Sequence, residues 1–322
     1  MMNILISGVG GDVAQGVIKC LEKSSLNLRV YKLGHTKEES WLYRDEYSYV
    51  SPPINSEGYV DYLCEFIQKH QIQVYIPCID SEILKISKSA QEIRERTGAQ
   101  IVVGEPEKIL ICEDKYKTFL FLKNNGFCYP DTHIFSTNTE YNNFPYVLKS
   151  RTGCGSRQVC EIHTKEQLKK HRHKSDQIIQ ERIDGDEYTA GIYLGKDKEI
   201  KGTCILKRKL KCGATNFAER VIDKNMESYL GSIAKKLGLS YVNIQFRMKD
   251  GYPCPFEFNG RFSGTTGIIS KVFNAPEFWL KENVLGDVIS PCRDTEKFYV
   301  MRYNEEIYAT EEQVASLLGR SQ

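Results

Sequence analysis

At 322 residues the chain is long enough for two or three domains, each with its own core. Hydrophobic content of 41% and charged content of 27% are those of an ordinary globular protein, which excludes a disordered or fibrous chain. A formal charge of +2 gives no reason to expect a nucleic-acid or membrane partner, and no run of about 20 apolar residues is present to span a bilayer.

Asn3–Ser7 reads as a short apolar strand with no cleavable signal before it. Gly8-Val-Gly-Gly-Asp-Val-Ala-Gln-Gly16 follows, then a helical pattern over Val17–Glu22 and a second strand over Leu28–Leu33. This is the start of a Rossmann-like unit, and a Gly-rich turn opening a helix can bind phosphate through backbone N–H groups. The second strand ends in Tyr-Lys-Leu-Gly-His35, without the carboxylate that holds a ribose in a typical NAD site. Val74–Pro77 is a further strand. Asp80 and Glu82 follow it, and a helix runs from there to about Thr97. Gln100–Val103 completes the unit. Strands alternating with helices imply a mostly parallel sheet. Asp80 is either a ligand-facing residue beyond a strand's carboxyl end or, with Ser81, a helix cap.

Pro106 marks a boundary, and Lys115–Asn125 reads as a helix stopped by Gly126. Phe144–Ser150 and Val159–Ile162 are strands around the loop Arg151-Thr-Gly-Cys-Gly-Ser-Arg157. Strand–loop–strand differs from a P-loop, and such a loop can close over phosphates as a lid. Tyr188–Leu194 and Lys201–Lys207 read as an antiparallel pair. The basic run Lys207-Arg-Lys-Leu-Lys211 is either a solvated turn or an anion clamp. Met226–Leu237 is a helix with Gly238 past its end. Eleven cysteines, an odd number with no Cys-x-x-Cys pair, read as reduced thiols in a cytoplasmic protein. The six histidines do not cluster with them at metal-ligand spacing, and His171 and His173 read as surface.

The segment Tyr241–Arg261 carries most information. It reads as a hairpin in which Asn243, Gln245, Glu257, Asn259 and Arg261 recur at a spacing of two. Glu257, Asn259 and Arg261 then share one face, and Phe256, Phe258 and Phe262 the other. Two oxygen donors suit Mg²⁺, and a guanidinium suits phosphate. For Gln245 to lie opposite Glu257, and Asn243 opposite Asn259, the turn needs an odd number of residues, so a three-residue turn is expected within Lys-Asp-Gly-Tyr.

Asp114-Lys115, Val147-Leu-Lys149, the loop 151–157, Gln180-Glu181-Arg-Ile183 with Gly185-Asp-Glu187, and Glu257-Phe-Asn-Gly-Arg261 follow one another in an order that resembles the ATP-grasp superfamily. The likeness is greatest to the ATP-binding halves of carbamoyl-phosphate synthase large chains and their small ligase relatives. It implies a mixed α/β and α+β fold. A Rossmann-like pre-ATP-grasp domain (1–108) would precede an ATP-grasp lid subdomain (109–185) and a C-terminal antiparallel-sheet subdomain (186–322).

By that resemblance, Lys115 and Lys149 contact the nucleotide phosphates beneath Gly153, Gly155 and Ser156. Glu181 and Ile183 line the adenine pocket, and Glu187 accepts the ribose hydroxyls. Glu257 and Asn259 hold Mg²⁺ (or Mn²⁺), with Gln245 joining them as in the carbamoyl-phosphate branch. Arg261 lies near the transferred phosphate. Arg208, or a neighbouring lysine, replaces a histidine of that branch. Gly260 stands where the family often has Pro.

The implied activity is ATP-dependent ligation of a small carboxylate to an amine through an acyl-phosphate, in the cytoplasm, with a homodimer left open. Asp80, Glu82 and the Gly8–Gly11 turn are candidates for the acceptor wall. A kinase of a carboxylate or amide, a nicotinamide-dependent oxidoreductase and a nucleotide-binding module without turnover remain as alternatives. The absence of a second ATP unit and of a glutaminase segment argues against a full carbamoyl-phosphate synthase.

Overall fold

Strands β1 (Met2–Ser7), β2 (Leu28–Gly34), β3 (Ser48–Val50), β4 (Val74–Ile76) and β5 (Gln100–Ile101) alternate with helices α1 (Asp12–Glu22), α2 (Tyr59–Lys69) and α3 (Asp80–Thr97) in the computed structural model. The model describes residues 1–153, 159–171 and 176–321. The five strands form a wholly parallel sheet in the order β3-β2-β1-β4-β5. The order in which strands are added reverses between β1 and β4, and the crevice beyond their carboxyl ends is where open α/β sheets bind ligands. Both the Gly8–Gly11 turn and Asp80 stand there, as the spacing of motifs suggested.

Helices α4 (Pro106–Glu113) and α5 (Lys115–Asn124) lead into β6 (Thr132–Ile134), β7 (Tyr146–Ser150), β8 (Cys160–Ile162), α6 (Lys165–Lys169) and β9 (Gln177–Glu181). These four strands form an antiparallel sheet in the order β6-β9-β7-β8. Next come β10 (Glu187–Leu194), β11 (Ile200–Lys211), β12 (Ala214–Val221), α7 (Lys224–Leu237), β13 (Tyr241–Lys249) and β14 (Tyr252–Asn259). The chain ends with α8 (Thr266–Ile269), α9 (Ala275–Leu280), β15 (Tyr299–Met301) and α10 (Glu311–Arg320). The second antiparallel sheet has the order β14-β13-β10-β11-β12-β15. The expected β10–β11 pair is present, and α7 ends at Gly238 in the left-handed conformation that glycine adopts without strain.

Packing joins these layers around one cavity. Ile4, Ile6 and Val17 of the parallel sheet and its helix share a buried core with Phe262, Ile269 and Leu280, which follow the hairpin. There α1 and α8 approach so closely that a Cβ on Gly267 would lie 3.1 Å from the Cα of Gly16. A second core puts Ile109 and Cys112 of α4 and Leu122 of α5 against Phe258 and the β10–β13 strands. That packing carries Lys115, at the start of α5, to the hairpin's polar face. Among the described residues, no helix is long and apolar enough to cross a membrane.

Candidate active site

The hairpin pairs Asn243 with Asn259 and Gln245 with Glu257, the expected register. The turn differs from expectation. Lys249 pairs with Tyr252, leaving Asp250-Gly251 as a two-residue turn with φ of 51° and 81°. Positive φ at both positions is the type I′ geometry that matches strand twist. Continued without interruption, that register would set Gln245 opposite Phe256 and turn Glu257 to the other face. Instead, the pairing shifts between Gln245 and Phe246, so Phe256 is the extra residue of a β-bulge. Phe258 and Phe262 are buried in two different cores, whereas Phe256 lines the cavity beside Glu257 rather than lying on the far face. The bulged strand is also the sheet edge, where Pro253 and Pro255 remove no needed ladder bond.

The cavity, about 950 Å³, lies between the parallel sheet and the two antiparallel sheets. Lys149, on β7, is only 7% exposed and faces into it. Its ammonium has no hydrogen-bond or salt-bridge acceptor among the described residues; it sits 5.3 Å from the ring centroid of Phe256. Burial pushes its pKa down to about 8, with the charge of Glu257 opposing the shift and that of Lys115 adding to it. Lys115 donates to the carbonyl of Gly153 at 2.7 Å. Asp114 caps α5 by accepting from the Tyr116 and Lys117 amides, and holds Arg151 in a bidentate fork at 2.8 and 2.6 Å. The root of the glycine loop is thus tied to the helix that carries Lys115. Gly155 and Ser156, and also His173, lie outside the described residues.

Glu257 and Asn259 project into the cavity with no side-chain hydrogen-bond or salt-bridge partner among the described residues. Two open oxygen donors on a rigid edge fit a hard divalent cation. Gln245 fits less simply. Its Oε1 accepts from Arg208 at 2.8 Å, and Arg208 also donates to Glu187 Oε1 at 2.8 Å. The other oxygen of Glu187 accepts from Arg247 at 3.2 Å, a residue sequence reasoning passed over. Glu187, expected to await a ribose, is therefore held between two guanidinium groups in this structure. The carboxylate of Glu181 is turned to Lys249 at 2.6 and 2.7 Å, while Ile183 lines the cavity.

Arg261 reaches the parallel sheet. It forms a salt bridge with Asp80, both side chains being largely buried, and donates to the carbonyl of Phe262 at 2.7 Å. Asp80 makes no side-chain cap of α3 and lines the cavity. Glu82 does not belong to the wall. It is fully buried and accepts hydrogen bonds from Ser7 at 2.5 Å, Tyr59 at 2.6 Å and Tyr75. Burial raises its pKa against the lowering by those three donors. Glu113, also missed, is raised to about 7 by burial and by the charge of Asp80, against the pull of Arg261 and Lys115.

The Gly8–Gly11 turn is not an open phosphate cradle. The amide of Gly10 donates to the carboxylate of Glu39 at 2.7 Å, and the amide of His35 donates to the same side chain at 2.8 Å. A Cβ on Gly10 would lie 2.8 Å from the Glu39 carboxyl carbon, and one on Gly34 2.6 Å from its Oε2. No periodicity marks Glu39, which is 29 residues from Gly10.

Residues 112–265 match the family model described as an ATP-grasp domain. A Mycoplasma pneumoniae protein named "Uncharacterized protein MG011 homolog" is 31% identical over 145 residues, covering 43% of this chain and 50% of that relative. The match thus spans half the length of the curated relative. The fold superposes on N5-carboxyaminoimidazole synthetase from Staphylococcus aureus, solved with ADP, with a TM-score of 0.73 at 14% identity, covering 94% of this chain and 82% of that one. It superposes on L-amino acid ligase from Bacillus licheniformis with a TM-score of 0.67 at 15% identity, covering 88% and 74%. Residues 112–265 of the chain thus form an ATP-grasp domain, whose cofactors are ATP and Mg²⁺.

Proposed function

We propose that this protein is an ATP- and Mg²⁺-dependent ligase that joins a small carboxylate to an amine through an acyl-phosphate. The observation that carries the reading is the convergence, in one cavity, of an unpaired buried ammonium (Lys149) with two unpartnered oxygen donors (Glu257 and Asn259). A buried cation without a counter-anion is costly unless a ligand supplies one, and ATP phosphates would do so. The reaction runs in two displacements. The acid's oxygen attacks the γ-phosphorus and ADP leaves; the amine nitrogen then attacks the acyl carbon and phosphate leaves.

Catalysis of such a transfer is mainly positioning and charge neutralisation. Mg²⁺, held by Glu257 and Asn259, would offset charge between the β- and γ-phosphates, and Mn²⁺ would serve in its place. Gln245 joins them through the lone pair of Oε1 that Arg208 leaves open. Lys149 and Lys115 hold phosphate oxygens, Ile183 packs on the base, and Arg261 orients the reacting acid at the seam with the parallel sheet. The division of labour follows the chain: 1–108 for the acceptor, 109–185 for the lid, 186–322 for the metal. We place the activity in the cytoplasm. The names of the two superposed enzymes, an amino acid ligase and a synthetase, support carbon–nitrogen ligation.

The test is a screen of carboxylic acids with ATP, Mg²⁺ and hydroxylamine. Hydroxamate formation with a class of acids is expected. ADP release with an acid alone, and no hydroxamate, would contradict ligation and favour a kinase.

A further inference from the structure

The part of the cavity wall built from residues 1–108 carries three carboxylates, Asp12, Glu39 and Asp80, and no lysine or arginine among its described lining. Two of the three have cationic partners: Arg261 for Asp80 and, at 3.4 Å, Arg302 for Asp12. Glu39 has none among the described residues. Its carboxylate is held only by neutral amides, those of Gly10 at 2.7 Å, His35 at 2.8 Å and Thr36 at 3.3 Å. Amide donors fix a carboxylate without cancelling its charge.

Glu39 is held in the wall from two sides, one carboxylate oxygen accepting from Gly10 and the other from His35 and Thr36. The glycines at 10 and 34 leave room for it, since a Cβ at either position would meet its carboxyl atoms within 3 Å. Beside it, His35 lines the same wall, its Nδ1 3.1 Å from the Ser51 hydroxyl.

Resting on the ligase reading, we infer that Glu39 sets the charge class of the amine substrate. That substrate carries a positive group in addition to the nitrogen that attacks, which must be uncharged to do so. The class is a diamine or a basic amino acid. A phosphorylated amine is excluded because it would face a fixed carboxylate with no lysine or arginine on the same wall.

The experiment compares three amines of one skeleton, 1,3-diaminopropane, 3-aminopropanol and 3-aminopropyl phosphate. It uses the acid found by hydroxamate formation, with the unmodified protein and with Glu39→Gln. For the unmodified protein, kcat/KM for the diamine should exceed that for the amino alcohol by about tenfold, the scale of one hydrogen bond to a charged group. The phosphate should be the poorest of the three. Glu39→Gln should raise KM for the diamine and bring the first two to within about twofold, since the carboxamide removes the charge while its one oxygen can still accept from the His35 and Thr36 amides. The ranking on the unmodified protein stands even if the variant folds poorly. Hydroxamate formation together with a preference for the phosphate, or a ranking that Glu39→Gln leaves intact, would overturn this inference and spare the ligase reading. Failure of every acid to give hydroxamate would overturn both.

Discussion

The ammonium of Lys149 lies 5.3 Å from the ring centroid of Phe256 and finds no acceptor among the described residues. A bulge in β14 brings that ring there, so one irregularity places both Glu257 on the hairpin's polar face and an aromatic ring beside the Lys149 ammonium.

Titration of Lys149 gives the first prediction. Burial lowers its pKa from 10.5 to about 8. Between those values the unfolded chain keeps the proton and the folded chain has lost it. Stability of the ligand-free protein should therefore rise as pH increases from 8 toward 10.5, by this group's contribution. ATP affinity should move the other way, falling above pH 8, because phosphate needs the charged form. Calorimetry of ATP binding in buffers of different ionisation enthalpy should report proton uptake near pH 8. Binding with no proton exchange there would remove Lys149 from the phosphate site.

Replacing that lysine separates stability from function. Lys149→Met keeps the length and removes an unpaired buried charge, a change that stabilises comparable interiors by about 1 kcal/mol or more. The melting temperature of the ligand-free protein should rise while ATP affinity falls at least about tenfold, the scale of a lost charge-assisted hydrogen bond. A variant that melts lower and binds ATP as before would contradict both halves.

Arg208 is predicted to be structural as well as functional. It is 8% exposed and joins Glu187 to Gln245. Arg208→Met should cost about 2 kcal/mol in denaturant unfolding, less than a fully buried pair because Glu187 keeps Arg247 and some solvent. Arg208→Lys should recover only part of that, since one ammonium cannot reproduce the fork. Full recovery by lysine would show that charge alone matters.

The salt bridge between Asp80 and Arg261 ties the parallel sheet to the hairpin's end, with side-chain exposures of 13% and 8%. Asp80→Asn should cost about 3 kcal/mol, the loss expected when one partner of a buried pair is neutralised. Thermal unfolding at neutral pH checks this. A change under about 0.5 kcal/mol, typical of surface sites, would mean that solvent replaces the carboxylate.

Much of this site was legible because strand alternation is strict. The spacing of Asn243, Gln245, Glu257 and Asn259 placed them on one face, and the structure pairs them so. The route was misjudged, since parity can be restored by an odd turn or by a bulge. Asp250-Gly251 is itself the signature of a two-residue turn, and the prolines at 253 and 255 mark an irregular edge strand. Those two signals together would have placed Phe256 in the cavity. Arg247 continues the same alternation two residues past Gln245 on β13 and was legible, though passed over. Glu39 and Glu113 had no such signal, because their places arise from a loop beside the parallel sheet and from α4 packing on the hairpin, and no local pattern encodes that. Glu82 was misplaced for the same reason. One residue past Ser81 the helix has turned it inward, onto hydroxyls from two strands and α2.

In the proposed reaction Glu257, with Asn259, would offer Mg²⁺ its protein oxygens beside the ATP phosphates. Titration calorimetry of ATP onto the protein with and without Mg²⁺, repeated on Glu257→Gln, tests it most directly. The unmodified protein should bind ATP at least about tenfold more tightly with the metal, and the variant should lose that gain while keeping its melting temperature within about 1 kcal/mol of stability, because the carboxylate makes no hydrogen bond or salt bridge to the described protein. ATP binding that is indifferent to Mg²⁺, or a metal dependence unchanged in Glu257→Gln, would contradict the account.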